Sequence, residues 1–251
     1  MDRDVYQRMR ALQGEHWWFR ARRRILATLI AGLDLSADAR ILEAGCGSGG
    51  NIALLQKFGR VSAFDMDEEA AGYCRADTGI SCRVGSLPFD NPYQDDRGFD
   101  LVVSLDVLEH IDDDRASLVS LASCLGEGGR LLLAVPAYQW MFSSHDRIHH
   151  HKRRYDRVEL ETLVKESGLV VRRSGYFNTI LFPLIACVRL LSKLLGRDSG
   201  SDMKMPGRWS NALLTGVFGA EANVLRYAGF PFGTSIFLVA TRADQDAGRG
   251  E

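Results

Sequence analysis

The stretch Ile41-Leu42-Glu43-Ala44-Gly45-Cys46-Gly47-Ser48-Gly49-Gly50 decides the fold. A short apolar run ends at a carboxylate and gives way to glycines at 45, 47, 49 and 50, after which Asn51–Phe58 reads as a helix. Glycine lets the backbone turn sharply and come close to a ligand, while the helix behind it aims free N–H groups and a positive dipole end at the same place. Two spacings are satisfied at once: Gly45, Gly47 and Gly50 make G-x-G-x-x-G, and Gly45, Gly47 and Gly49 make G-x-G-x-G. Asp65, 20 residues after Gly45 and at the end of the next β-branched run, is placed to accept hydrogen bonds from two ribose hydroxyls under either reading. Glu43 begins to separate them. A carboxylate two residues before the first glycine repels a pyrophosphate but suits a ligand that carries a sulfonium and an ammonium group.

Outward from this loop, short β-branched runs alternate with amphipathic ones from residue 40 to residue 173. That alternation is the mark of βαβ units and a parallel sheet covered by helices. The expected strands are Arg40–Ala44, Arg60–Phe64, Ser81–Val84, Phe99–Ser104, Arg130–Val135 and Leu169–Arg173, with Thr234–Arg242 closing the sheet. The expected helices between them are Asn51–Phe58, Glu68–Ala76, Asp114–Leu125 and Arg157–Ser167, with apolar residues three and four apart. The fold expected is therefore α/β, a doubly wound Rossmann-like sheet with helices on both faces.

Composition bounds the rest. The chain has 251 residues, 46% hydrophobic and 25% charged, as an ordinary folded domain does. Lys plus Arg number 31 against 32 for Asp plus Glu, so no global field is available to hold a nucleic acid. The five cysteines are scattered without a C-x-x-C pair, which argues against a disulfide scaffold or a zinc ribbon and for a reducing, cytoplasmic setting. Met1–Gln13 is charged and carries no apolar run, so it is not expected to be a secretory signal or an anchor. Ser174–Val188 is uncharged but shorter than the roughly 20 residues that cross a bilayer.

The loop and the segments after it resemble the class I S-adenosylmethionine-dependent methyltransferases, in particular the quinone- and small-metabolite-modifying subgroup. The resemblance rests on Glu43 to Gly49, Phe64-Asp65-Met66-Asp67, Gly85-Ser86-Leu87-Pro88-Phe89, Phe99 to His110 with its V-L-E-H, and Leu125-Gly126-Glu127-Gly128-Gly129-Arg130, all in order over residues 40–135. It implies a seven-stranded sheet whose last strand is antiparallel. It implies S-adenosylmethionine as cofactor, S-adenosylhomocysteine as product and no metal. It further implies that Gly45, Cys46 and Gly47 cradle the methionine portion with Glu43 near its amino end, and that Asp65 binds the ribose. Met66, Ser86 and Leu87 would then lie around the adenine, Leu105 would line the methionine portion, and His110 would stand near the mouth of the site.

Three further segments bear on function. Ser144 to Tyr155 holds four histidines at what should be the carboxyl edge of the sheet; His149 and His110 are candidate general bases, and Arg153, Arg154 and Tyr155 are candidate donors to an acidic group on the acceptor. His145 and His149 would share a helix face, but the Glu of an H-E-x-x-H site is absent, so no metal is expected there. Residues 1–39 form a helical cap in which Trp17, Trp18 and Phe19 sit among arginines, and Arg23 or Arg20 would reach the cofactor carboxylate. Residues 176–231 form a helical insertion of Pro183–Leu195 and Trp209–Tyr227 joined by a Gly/Ser/Asp-rich loop, Gly196–Gly207. Leu184, Val188, Leu191 and Leu195 share one helix face opposite Arg189 and Lys193, either packed on the sheet or offered to a lipid-like substrate or membrane. The expected core is then 40–175 with 232–243, followed by a tail at 244–251. The activity expected is methyl transfer to a small or lipid-linked acceptor, at oxygen, by a cytoplasmic protein touching the membrane at most peripherally. The alternatives are an NAD-dependent oxidoreductase and a membrane-peripheral binding protein that keeps the cofactor fold without turnover.

Overall fold

The computed structural model describes residues 3–195 and 205–243. Its centre is a seven-stranded sheet in the order β3-β2-β1-β4-β5-β7-β6. The strands are β1 (Arg40–Ala44), β2 (Arg60–Asp65), β3 (Ser81–Val84), β4 (Phe99–Leu105), β5 (Leu125–Pro136), β6 (Leu169–Phe177) and β7 (Ser235–Arg242). The first five run parallel, and β7 is antiparallel to both of its neighbours. β1 and β4 lie side by side although the chain visits β2 and β3 between them, so the carboxyl ends of these two strands flank the crevice where such sheets take ligands.

Strict alternation sorts the sheet residues between two cores. On one face Ile41, Ala63, Leu101, Val103, Leu132 and Phe237 pack against α2 (Trp17–Ala31), α3 (Ile52–Leu55), α4 (Glu68–Thr78), α9 (Arg208–Ala220) and α10 (Ala222–Leu225). On the other, Leu42, Phe64, Val102, Leu131, Leu133 and Leu238 meet α5 (Asp114–Ser123) and α7 (Arg157–Glu166). α1 (Arg3–Leu12) precedes α2, and the short α6 (Ser144–Ile148) lies in the segment after β5. Helix ends follow local chemistry. Asp67 caps α4 by accepting from Ala70 N–H at 2.9 Å, and Gly79 ends it at φ +72°. Asp156 and Glu159 form a reciprocal capping box at the start of α7.

The expected strands are all present, β2 and β4 one residue longer than read and two extended further: β5 begins at Leu125, so α5 stops at Ser123, and β6 continues to Phe177, taking in the first two residues of the expected insertion. The expected helix Asn51–Phe58 is a single turn at 52–55, because the loop's turns occupy the residues around it. The second insertion helix breaks at Glu221. There the side chain, almost wholly buried, accepts the backbone N–H groups of Asn178, Thr179 and Ile180 at 2.6–2.8 Å. Most of the expected loop Gly196–Gly207, and the tail, lie outside the described residues.

Of the two readings of the first insertion helix, packing on the sheet is not what the structure has. Helix α8 (Phe182–Leu194) belongs to neither core and buries none of its residues. Arg189 turns inward instead, donating to Met141 O at 2.8 Å and to Ser143 Oγ at 2.5 Å. Leu184, Val188, Leu191 and Leu195 face out and are 52–64% exposed. The helix therefore does not pack its apolar face on the sheet; its polar side is held by the loop after β5.

Candidate active site

The glycine loop is tied to the neighbouring strand: Gly45 and Cys46 both donate to Phe64 O, at 2.8 and 3.1 Å. Gly45 has φ +74°, and a Cβ there would lie 2.5 Å from the Val107 side chain, so any other residue would be strained and would have to displace Val107. Glu43 is fully buried. Its Oε1 accepts from Asn51 Nδ2 at 2.9 Å, while its Oε2 has no partner among the described residues. Burial raises its carboxyl to about 8, against the opposing hydrogen bond from Asn51. Asp65, also buried, accepts from Gly47 N–H at 2.7 Å and Asp67 N–H at 3.0 Å; burial again raises its pKa.

Around this loop the structure places the other expected residues as follows. Leu105 is buried beside Asp106 at the end of β4, Ser86 and Leu87 are half-buried beyond β3, and Met66 is 74% exposed on an open flank. Cys46 is buried with its sulfur 3.4 Å from that of Cys82. Arg23 reaches the outer rim of the loop, donating to Gln13 O at 2.6 Å and Gly50 O at 3.4 Å, and Arg20 is exposed.

The arginine that enters the crevice is Arg22. It is buried, its Nη2 lies 2.7 Å from Asp106 Oδ2, and its Nε has no partner among the described residues. Its neighbours Arg20 and Arg23 are the expected ones, yet Arg22 stands three, four and seven residues before Ile25, Leu26 and Leu29, on the stripe that α2 buries. Asp106, held at φ +58° just before the V-L-E-H, and Glu109 within it, fully buried with both carboxylate oxygens unpartnered among the described residues, likewise have no role in the sequence reading. Burial, then the charge of Asp106, holds the Glu109 carboxyl well above the usual range.

The histidine loop closes the crevice from the β5 side. Its hub is Asp146, which accepts from Ser143 N–H at 2.8 Å, His151 Nδ1 at 2.9 Å and Arg154 Nε at 2.8 Å, with Arg189 Nη1 3.4 Å away. Burial alone would raise this carboxyl, but His151 and Arg154 hold it far below the usual carboxylate range. His110 meets His151 edge to face at 4.7 Å, and their ring nitrogens lie within 4.8 Å of a Glu109 oxygen. His110 and His149 are both lowered to about 4, chiefly by burial and then by His151, so both imidazoles are neutral at pH 7. Arg153, Arg154 and Tyr155, the expected donors, are hydrogen-bonded within the protein. Arg153 and Tyr155 both bond Asp114, at 2.7 and 2.9 Å, and Arg154 is taken up by Asp146 and Ala137 O.

The site thus sets a buried carboxyl, Glu43, with one oxygen unpartnered among the described residues, and a buried arginine, Arg22, paired with Asp106 but with its Nε unpartnered among them, beside a ribose-type aspartate. Residues 13–174, well over half of the chain, match the methyltransferase-domain family. The chain belongs to that family. A protein named "Probable S-adenosylmethionine-dependent methyltransferase" from Mycobacterium tuberculosis is 28% identical to this domain over 172 residues, covering 65% of this chain and 60% of its own. The ubiquinone biosynthesis O-methyltransferase of Xanthomonas oryzae pv. oryzae is 33% identical over 110 residues, covering 41% of this chain and 45% of its own. The methyltransferase chain therefore matches less than two thirds of the length of these curated relatives. Among solved structures, geranyl diphosphate C-methyltransferase from Streptomyces coelicolor A3(2) superposes with a TM-score of 0.56 at 14% identity, over 85% of this chain and 78% of that one. That likeness is one of fold.

Proposed function

We propose that this domain transfers a methyl group from S-adenosylmethionine to an oxygen of a small or lipid-linked acceptor at a membrane surface. The observation that carries the cofactor assignment is Glu43: a fully buried carboxyl, one oxygen unpartnered among the described residues, beside the glycine loop. A dinucleotide pyrophosphate brought there would find no cation and would hold the carboxyl in its neutral form, whereas an ammonium group supplies the missing partner and draws it to the anion. Arg22 then takes the cofactor carboxylate, Asp65 the ribose hydroxyls, and Leu105 the apolar flank of the methionine portion. Met66, Ser86 and Leu87 border the adenine.

When bound, S-adenosylmethionine supplies an electrophilic methyl group on a positively charged sulfur, so the protein's part is alignment, exclusion of water and removal of one proton. His110, neutral at pH 7 and beside Glu109 and His151, takes the acceptor's hydroxyl proton. His149, buried with Nε2 unpartnered among the described residues, is the second candidate base.

Support for the lipid side comes from the insertion. The exposed stripe of α8 is apolar throughout, Trp209 and Leu213 of α9 are also exposed, and residues 178–232 carry six Lys or Arg against three Asp or Glu. Apolar residues on the surface with a basic excess around them suit an anionic bilayer interface. Among the described residues no helix is long and apolar enough to cross a membrane. An aromatic group of Tyr138, Trp140, Tyr176, Phe182 and Phe232, with ring centroids 5.3–6.3 Å apart, leads from the start of α8 to the carboxyl end of β5 and offers an acceptor ring or isoprenoid an apolar wall. The relative named for ubiquinone biosynthesis agrees with such an acceptor.

The test is a paired one. S-adenosylhomocysteine at about 100 times its dissociation constant adds about 2.7 kcal/mol, which raises the melting midpoint of a chain this size by about 5–10 °C; NADH leaves it unchanged. Labelled methyl then appears in the lipid extract of the source cells. A shift with NADH alone would reassign the chain to hydride transfer, and label in neither lipids nor small molecules would leave a binding protein.

A further inference from the structure

Behind the glycine loop lie three thiols whose sulfurs have no role in the methyl transfer proposed above. Cys46 sits between Gly45 and Gly47, Cys74 on α4 and Cys82 on β3; all three are buried and free. The sulfurs of Cys46 and Cys82 are 3.4 Å apart, and all three lie within 4.8 Å of one another. α4 packs directly beneath the loop, since a Cβ on Gly49 would stand 3.0 Å from the sulfur of Cys74.

Three thiolates around one ion at about 2.3 Å stand about 4 Å from each other, within the spread observed, so each sulfur needs to move only slightly. The remaining cysteines are elsewhere: Cys124 bonds Asn91 and Tyr93 O, and Cys187 is exposed on α8. No fourth sulfur or imidazole joins the group among the described residues. A structural zinc site wants four ligands, and hard cations want oxygen. A dry set of three sulfurs suits soft cuprous copper. The guanidinium of Arg75, on the carbonyl of Cys82 at 2.8 Å, is the nearby cation that offsets thiolate charge.

We propose that Cys46, Cys74 and Cys82 bind one cuprous ion, and that anchoring Cys46 on it shifts the glycine loop enough to weaken its hold on the cofactor. Up to three S–H bonds break, their protons pass to solvent, as many Cu–S bonds form, and the copper stays monovalent. Because Cys46 lies inside the loop, copper and cofactor oppose each other, and linkage makes the opposition reciprocal. This second half rests on the cofactor reading above; the copper site itself does not.

The experiment titrates the full chain, without oxygen, with cuprous acetonitrile complex against the competing chelator bicinchoninate. One copper binds per chain, and X-ray absorption counts three sulfur neighbours on the unaltered protein. Cys74→Ala lowers copper affinity by at least about tenfold, a loss that even outer-shell changes produce, whereas Cys124→Ala and Cys187→Ala leave it unchanged. Loaded protein binds S-adenosylhomocysteine at least about fivefold more weakly, and the nucleoside weakens copper by the same factor. Copper held no better than by the Cys46→Ala, Cys74→Ala, Cys82→Ala triple variant, or a nitrogen-dominated coordination shell, overturns the site. Copper bound through three sulfurs with nucleoside affinity unchanged overturns the antagonism alone.

Discussion

At the scale of single residues, Glu43 behaves as a proton store. With its carboxyl raised to about 8 it is mostly protonated in the free protein at pH 7. A cofactor ammonium favours the anion, so binding of S-adenosylhomocysteine at pH 7 releases close to one proton and tightens as pH rises toward 8. Calorimetry in buffers of different ionisation enthalpy reads this directly. Glu43→Gln abolishes the release and weakens binding about 10- to 100-fold, the value of one charged hydrogen bond. The sign for stability is opposite. The folded pKa exceeds the unfolded one, so Glu43's contribution is fully present below the ordinary carboxyl range and is lost as pH climbs through about 8. Arg22→Ala is expected to weaken S-adenosylhomocysteine about 10- to 100-fold while leaving methylthioadenosine, which lacks the carboxylate, unaffected. Arg23→Ala, whose bonds go to Gln13 and Gly50 carbonyls, alters both ligands alike. Glu43 and Asp65 were legible in the sequence because a carboxylate at a fixed distance from a glycine turn has few other uses. Arg22 was not singled out, because three consecutive arginines differ only in helical phase, and phase is settled by what α2 packs against.

At the scale of elements, buried carboxylates join segments that the chain keeps far apart. Glu221 holds three successive N–H groups at the end of β6. Glu221→Ala strands them in a dry site, for a loss of about 3 kcal/mol or more, and a melting midpoint about 6–12 °C lower. The histidines set the acid limit. His110 and His149 are lowered to about 4, so the stability they confer is complete above their ordinary value near 6.5 and is lost as pH falls through about 4. A variant with both replaced by Asn should unfold at a lower pH than the parent in a circular-dichroism titration. Strand positions were readable from period-two patterning, which depends only on the sheet having two covered faces. The histidine loop was not readable to the same depth. Nothing in Arg153-Arg154-Tyr155 announces that Asp114 and Asp146 already consume their donors.

For the whole molecule, the decisive asymmetry is that both faces of the sheet are covered while α8 stands apart from either core. Amphipathic spacing located its apolar stripe correctly, but spacing is silent about which side meets solvent; the grip of Met141, Ser143 and Asp146 on Arg189 decides that. Val188→Glu with Leu191→Glu should abolish flotation with vesicles containing phosphatidylglycerol while S-adenosylhomocysteine affinity stays at the parental value. Co-flotation of the double variant at parental levels would remove the helix from the membrane account.

Asp146 draws on Arg154 from its own loop and on Arg189 from α8. Loop and insertion are consequently a single module with shared electrostatic bookkeeping. A lineage that trimmed the insertion back to a tight turn would leave that carboxylate short of one cation. Grafting α8 onto a shorter relative should therefore succeed only when residues 143–154 travel with it.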